Sequence, residues 1–154
     1  MRMIKSTIYF YEPDEAYGFL SNFFIAPLVI GGEVWLTSEH YYQAQKFQSA
    51  ILQHRIQQSS TPDEAFKLSR DFVHDVDKGW MERRCDVMRY VVEQKFLQHL
   101  ALRTSLLATG CALLVEHSKH DAFWGDGQHG DGANHLGQIL MEVRHALLQG
   151  EMLA

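Results

Sequence analysis

Two stretches of this chain carry side chains that could do chemistry. In the first, Glu39, Gln43 and Lys46 fall at i, i+4 and i+7, so a helix through them presents one polar stripe. Such a stripe either faces water or lines a cleft. The second runs from His120 to Gly137 and crowds glycines, Asp121, Asp126, Asp131, His129, His135 and Trp124 together. Glycine loses more backbone entropy on folding than other residues, so a glycine-dense segment between patterned helices needs a compensating use. Binding or catalysis is one such use, and a solvated surface loop is the alternative.

Three chemistries compete for these residues. The first is a metal site. His117, His120, Asp121, Asp126, His129, Asp131 and His135 are all ligand-capable, but their spacing matches no recognised cluster, and none is expected. The second is anion binding, with the glycine loop and the helix start at Asn134 offering free backbone N–H groups to a phosphate. Its spacing is neither that of a phosphate-binding P-loop nor that of a dinucleotide fingerprint. The third pairs Glu39 with Asp126. Breaking a glycosidic bond builds positive charge on the sugar ring, which carboxylates can stabilise while activating water. Trp80 and Trp124 could then stack on a base. This third reading uses the most features. Glu39 also suits a helix N-terminus for purely electrostatic reasons, and Trp80 at the start of a helix also suits a core.

The elements that would position these residues are legible from pattern. Residues 6–11 read as a strand and 17–24 as an ordered aromatic loop. Residues 28–36 form a hairpin around Gly31-Gly32. Thr37 or Ser38 caps a helix to about Gln48, and further helices follow at 50–58 and from Thr61. The longest helix runs from Trp80 to about His99, with Met81, Cys85, Met88, Val92 and Phe96 as its expected core face. A helix at 100–109 ends at Gly110, residues 112–117 read as a buried strand, and the last helix repeats Leu136, Ile139, Leu140, Val143 and Leu147 behind an Asn134 N-cap.

Composition bounds the rest. A chain of 154 residues, 46% apolar and 21% charged, is one ordinary globular domain. Its formal charge of -5 argues against a broad basic surface for nucleic acid. Cys85 and Cys111 lack paired spacing, so reduced, buried thiols are expected. No run approaches a membrane span and the N-terminus has no signal-like core, so no membrane association and a cytoplasmic location are expected.

Three long motifs, Phe19-Leu20-Ser21-Asn22-Phe23, the run from Trp35 to Phe47 containing Ser38-Glu39-His40, and Asp121-Ala122-Phe123-Trp124-Gly125-Asp126-Gly127 with Gly130, Asn134 and Leu136-Gly137, resemble the YbiA family of the NADAR superfamily. The resemblance covers nearly the whole chain. It implies an α+β, mainly helical fold: a YbiA-like single domain over residues 1–154, with a few short strands and a β-hairpin. It also implies an N-glycosidase without cofactor or metal that releases ribose 5-phosphate and a free base from phosphoribosylated aminopyrimidine intermediates of riboflavin biosynthesis. The implied partner is therefore a small phosphorylated riboside. The runner-up readings are an ADP-ribosyl-guanine hydrolase acting on ADP-ribosylated nucleic acid and a non-catalytic ADP-ribose or nucleotide module.

By the same resemblance Glu39, Asp126 and Trp80 are the catalytic positions, and Asn22, Phe23, Lys46 and Arg70 contact substrate. The expected division of labour has Trp80 hold the base while Lys46, Arg70 and loop amides hold phosphate. Trp124, Gly125, Gly127 and Asn134 line the loop side. Residues 71–79 are more acidic than the basic segment associated with the family.

Overall fold

The computed structural model describes residues 5–151. Among them are six α-helices, four short strands and two single 3-10 turns, the mainly helical α+β architecture expected. The chain divides into two compact units, one made of the segments up to Ser21 and from Phe96 onward, the other of Asn22–Lys95.

In the first unit, β1 (Thr7–Phe10) pairs in parallel with β4 (Leu113–Glu116), from Thr7 opposite Leu113 to Phe10 opposite Glu116. Helix α5 (Leu100–Ala108) and helix α6 (His135–Leu148) complete it. Arg103 reaches back from α5 to donate to the carbonyls of Phe96 at 2.9 Å and Leu97 at 2.6 Å, oxygens that the preceding helix leaves without intrahelical donors. The expected apolar repeat of α6 is its buried face over the first residues: Leu136, Ile139, Leu140 and Val143 are all buried, while Leu147 at its end is half-buried. Burying a leucine fully contributes roughly 1.5–3 kcal/mol, and Leu114 of β4 lies beneath this face with no exposed surface. The approach of strand to helix is close enough that a Cβ at Gly137 would land on the Leu114 carbonyl oxygen.

In the second unit, β2 (Leu28–Ile30) and β3 (Glu33–Trp35) form the antiparallel hairpin. Gly31 and Gly32 both have positive φ, 60° and 79°, as a two-residue turn of matching twist requires. Helices α1 (Ser38–Ala44), α2 (Ala50–Gln57) and α3 (Pro62–Asp71) pack on one another. Each starts on a hydroxyl cap. Thr37 accepts from the His40 N–H at 3.1 Å, Ser49 from Leu52 at 3.3 Å and Thr61 from Glu64 at 3.1 Å. Helix α1 stops at Ala44, earlier than the expected Gln48.

Helix α4 (Trp80–Gln98) departs from expectation in its orientation. Met88, Val92 and Phe96 are buried as expected, together with Trp80, Val91 and Lys95, but Met81 is 65% exposed and Cys85 is exposed as well. The Trp80 ring takes the buried position in the first turn. Successive residues diverge by about 100° around a helix, so Met81 and, one turn on, Cys85 are carried outward. Cys111, which follows the Gly110 turn, is exposed too, and neither thiol is the buried one expected from the sequence.

Candidate functional site

Glu39 occupies the first turn of α1 and is only 7% exposed. The polar stripe therefore does not face bulk water: Glu39 and Gln43 are buried and Lys46 is half-buried. Burial of a carboxylate demands partners. The Gln43 side-chain amide donates to Glu39 Oε1 at 2.7 Å, and the other end of that amide, Oε1, accepts from the Ser69 hydroxyl of α3 at 2.7 Å. A carboxylate accepts only, so Gln43 must turn its NH2 toward Glu39, and Ser69 holds it that way round. The Glu39 backbone N–H donates to the Asn22 carbonyl at 3.2 Å.

Asn22 is itself buried, and its side chain is engaged within the protein. Its Oδ1 accepts from Ser38 at 2.8 Å and its Nδ2 donates to the Met88 sulfur at 3.2 Å. It thus ties the segment before β2 to the first turn of α1 and to α4. His40 shares this turn. Its Nδ1 lies 2.8 Å from the Thr37 hydroxyl and its Nε2 3.0 Å from the Ser59 carbonyl, so Nε2 carries the proton toward the carbonyl. Burial pushes the His40 imidazole below its ordinary value.

Trp80 is 5% exposed, its ring in edge contact with Tyr42 of α1 at 5.2 Å and beneath the Arg83 guanidinium at 5.4 Å. The Lys46 ammonium lies 5.7 Å from the Tyr42 ring centre. Asp77 joins the two segments by donating its N–H to the Lys46 carbonyl at 2.8 Å. The structure so brings Lys46, Tyr42 and Trp80 together. Phe23 is half-buried, and Arg70 is exposed with its guanidinium over Phe66 at 5.5 Å.

In the other unit Asp126 is the buried acid of the glycine loop, 5% exposed. Its Oδ2 accepts from His117 Nδ1 at 2.8 Å and its Oδ1 from the Ser118 backbone N–H at 3.1 Å. Its own N–H donates to the Glu116 carbonyl at 2.9 Å, so the loop is stitched to the end of β4. Gly125 and Gly127 are buried. A Cβ at Gly125 would sit 2.7 Å from the Glu116 oxygen, and Gly127 adopts φ +74°. Trp124 is half-buried, its ring stacked edge-on against Phe123 at 4.7 Å, with His135 tilted on Phe123 at 4.3 Å. Asp121 Oδ1 accepts the N–H groups of both Phe123 and Trp124, at 2.9 and 2.8 Å.

Two expectations about this loop are corrected. The backbone N–H groups leading into α6 are not free for an anion. Those of Gly132, Ala133, Asn134, His135 and Leu136 donate to the carbonyls of Asp126, Ala122, Gly125, Phe123 and Trp124. The loop folds back across the helix start and uses the donors itself. Asn134 is the N-cap residue by position but makes no side-chain cap; it adopts φ 52° and directs its amide to β4. There Oδ1 accepts from the Glu116 N–H at 3.0 Å and Nδ2 donates to the Leu114 carbonyl at 2.9 Å. The ligand-capable side chains are not gathered: among the described residues no group of three or more His, Cys, Asp or Glu could hold a metal ion.

Sequence reasoning missed Ser69, and it named His117 only as a ligand-capable side chain, not as the partner of Asp126. Ser69 sits 26 positions from Gln43, and no local pattern signals that pairing. His117 carried a weak signal, as the residue ending a short strand just before an acid-rich loop.

A family model described as the NADAR domain matches residues 9–148. The N-glycosidase YbiA of Escherichia coli is 45% identical over 94% of this chain and 91% of its own length. A riboflavin biosynthesis protein of Vibrio vulnificus is 48% identical over 94% of the chain, which spans 40% of that longer protein. The solution structure of the Escherichia coli YbiA protein superposes with a TM-score of 0.88 at 43% identity, over 97% of this chain and 89% of that one. No helix among the described residues is long and apolar enough to cross a membrane. The chain belongs to the NADAR domain family, as an N-glycosidase.

Proposed function

We propose that the chain hydrolyses the bond between base and ribose in phosphoribosylated aminopyrimidines of the riboflavin pathway, releasing ribose 5-phosphate and the free base. Support for the substrate class comes from relatives named as riboflavin biosynthesis proteins in Vibrio vulnificus and Zea mays. The observation that carries the mechanism is Glu39, a buried carboxylate fixed in orientation by Gln43 and Ser69. Departure of the base leaves positive charge on C1′ and the ring oxygen. A carboxylate held in a low-dielectric setting stabilises that charge far more than it would in water, and without reorganising during the reaction.

In this reading Glu39 stabilises the oxocarbenium-like transition state and receives a proton from the attacking water, and Trp80 of the same unit offers an aromatic surface for the base. Lys46 and Arg70 carry the positive charge for the 5′-phosphate. The loop's part is narrower than the one expected of it: the N–H groups of residues 132–136, which lead into α6, are engaged internally, so phosphate is left to side chains and to the loop amides before them.

The test is to incubate the protein with the aminouracil ribotide, with ADP-ribosylated guanine DNA and with ADP-ribose, and to follow free base and sugar by mass spectrometry. Base release from the ribotide, undiminished by EDTA, is expected. Release of ADP-ribose from the DNA alone would transfer the activity to nucleic acid, and saturable binding of ADP-ribose without release of any base would make the chain a binding module.

A further inference from the structure

His117 directly follows β4, its backbone N–H donating to the Phe10 carbonyl at 2.9 Å, and its side chain is 60% exposed. An ionised carboxylate accepts only, so the 2.8 Å contact fixes the Nδ1–H tautomer or the doubly protonated ring, with Nδ1–H donating to Asp126. Nε2 has no hydrogen-bond partner among the described residues. The titratable groups touching the ring are Asp126 from the loop and Tyr9 from β1, whose ring meets it edge-on at 5.5 Å; Glu116, the last residue of β4, precedes it in the chain. Asp126 is meanwhile sequestered: both of its oxygens are engaged, by His117 and by the Ser118 N–H. A buried acid that orients an accessible imidazole acts through that imidazole, as in other acid–histidine pairs.

We infer that His117 is the proton-transferring catalytic residue of this unit and that Asp126 is its positioning residue. This rests on the N-glycosidase reading above and deepens it. The C1′–N bond breaks with both electrons passing to nitrogen. Imidazolium Nε2–H gives its proton to that nitrogen, so the base leaves as a neutral amine. Water adds to C1′ and gives up a proton to a base, and exchange with solvent restores that base and the imidazolium. Amines are poor leaving groups unless protonated, which is why an acid is needed at this atom.

The experiment compares two substrates: the aminouracil ribotide, and p-nitrophenyl ribofuranoside 5-phosphate, whose phenolate leaves without a proton. Because His117 is exposed, its replacement leaves the core intact. In His117→Ala, kcat on the ribotide is expected to fall by roughly 10²–10⁴-fold, while the p-nitrophenyl substrate changes by less than about 3-fold. His117→Asn, which can still donate to Asp126 but cannot shuttle a proton, should be as impaired as the alanine variant, and Asp126→Asn should cost little further activity in the His117→Ala background. Equal loss on both substrates, recovery in His117→Asn, or a full additional loss from Asp126→Asn would overturn the inference and leave the N-glycosidase reading in place. Wild-type protein inert toward both substrates would overturn both.

Discussion

Glu39 stands at a position with an ordinary electrostatic rationale, and its surroundings are what suit it to the proposed reaction. A carboxylate in the first turn complements the helix dipole wherever it sits, but here it is buried and pinned through Gln43 by a hydroxyl from another helix. Glu39→Gln keeps the shape and removes the charge, so kcat for base release should fall at least ~10²-fold with the folded structure retained; near-normal turnover would discard its assigned role. Ser69→Ala removes the group that sets the Gln43 amide. Steady-state kinetics should show kcat reduced by about 10-fold with KM little changed, together with a loss of roughly 1 kcal/mol of stability from the broken hydrogen bond. The stripe of Glu39, Gln43 and Lys46 was legible from its spacing. Its burial was not, because a polar face toward water and one toward the interior have the same sequence period.

At the scale of elements, the junction of β4 with α6 holds the glycine loop in place. Gly137 is there because the Leu114 carbonyl occupies the space of a side chain, so Gly137→Ala should destabilise the protein by at least ~3 kcal/mol in chemical denaturation, or prevent it from folding. Asn134 combines a left-handed backbone with two hydrogen bonds to β4. Asn134→Gly keeps the backbone and loses only the bonds, at about 1–3 kcal/mol, whereas Asn134→Ala adds backbone strain and should be the less stable of the two. An unchanged midpoint in both variants would remove the junction from the account. Asn134 was expected as an N-cap because Asn at that position ordinarily is one. Only the neighbouring strand, which is 18 to 20 residues distant in sequence, reveals where the amide goes.

Over the whole molecule, two buried bases set the dependence of stability on pH. Lys95 is 2% exposed, and burial lowers its ammonium to about 7 from an ordinary 10.5. The unfolded chain therefore binds more protons than the folded one between about pH 7 and 10.5, and stability from this group is present above that window and lost as pH falls through it. Melting temperature should rise on the order of 5 °C or more from pH 7 to pH 10 on this account, and Lys95→Met should flatten the rise. His40 works in the same direction at lower pH. Its neutral form is the one packed against Thr37 and Ser59, so stability should decline as pH falls below 6.5, and His40→Gln should remove that step. Hairpin, helix positions, the apolar face of α6 and the family motifs were all determined by the sequence alone, since turn chemistry, capping and hydrophobic period are local. The tertiary structure alone decided which face of α4 is buried, the orientation of Glu39 by Ser69, the pairing of His117 with Asp126, and the closure of the N–H groups leading into α6 on carbonyls of the loop. Each of those depends on groups brought together from distant positions or on competition between equally apolar faces, and neither is encoded in a residue's immediate neighbours.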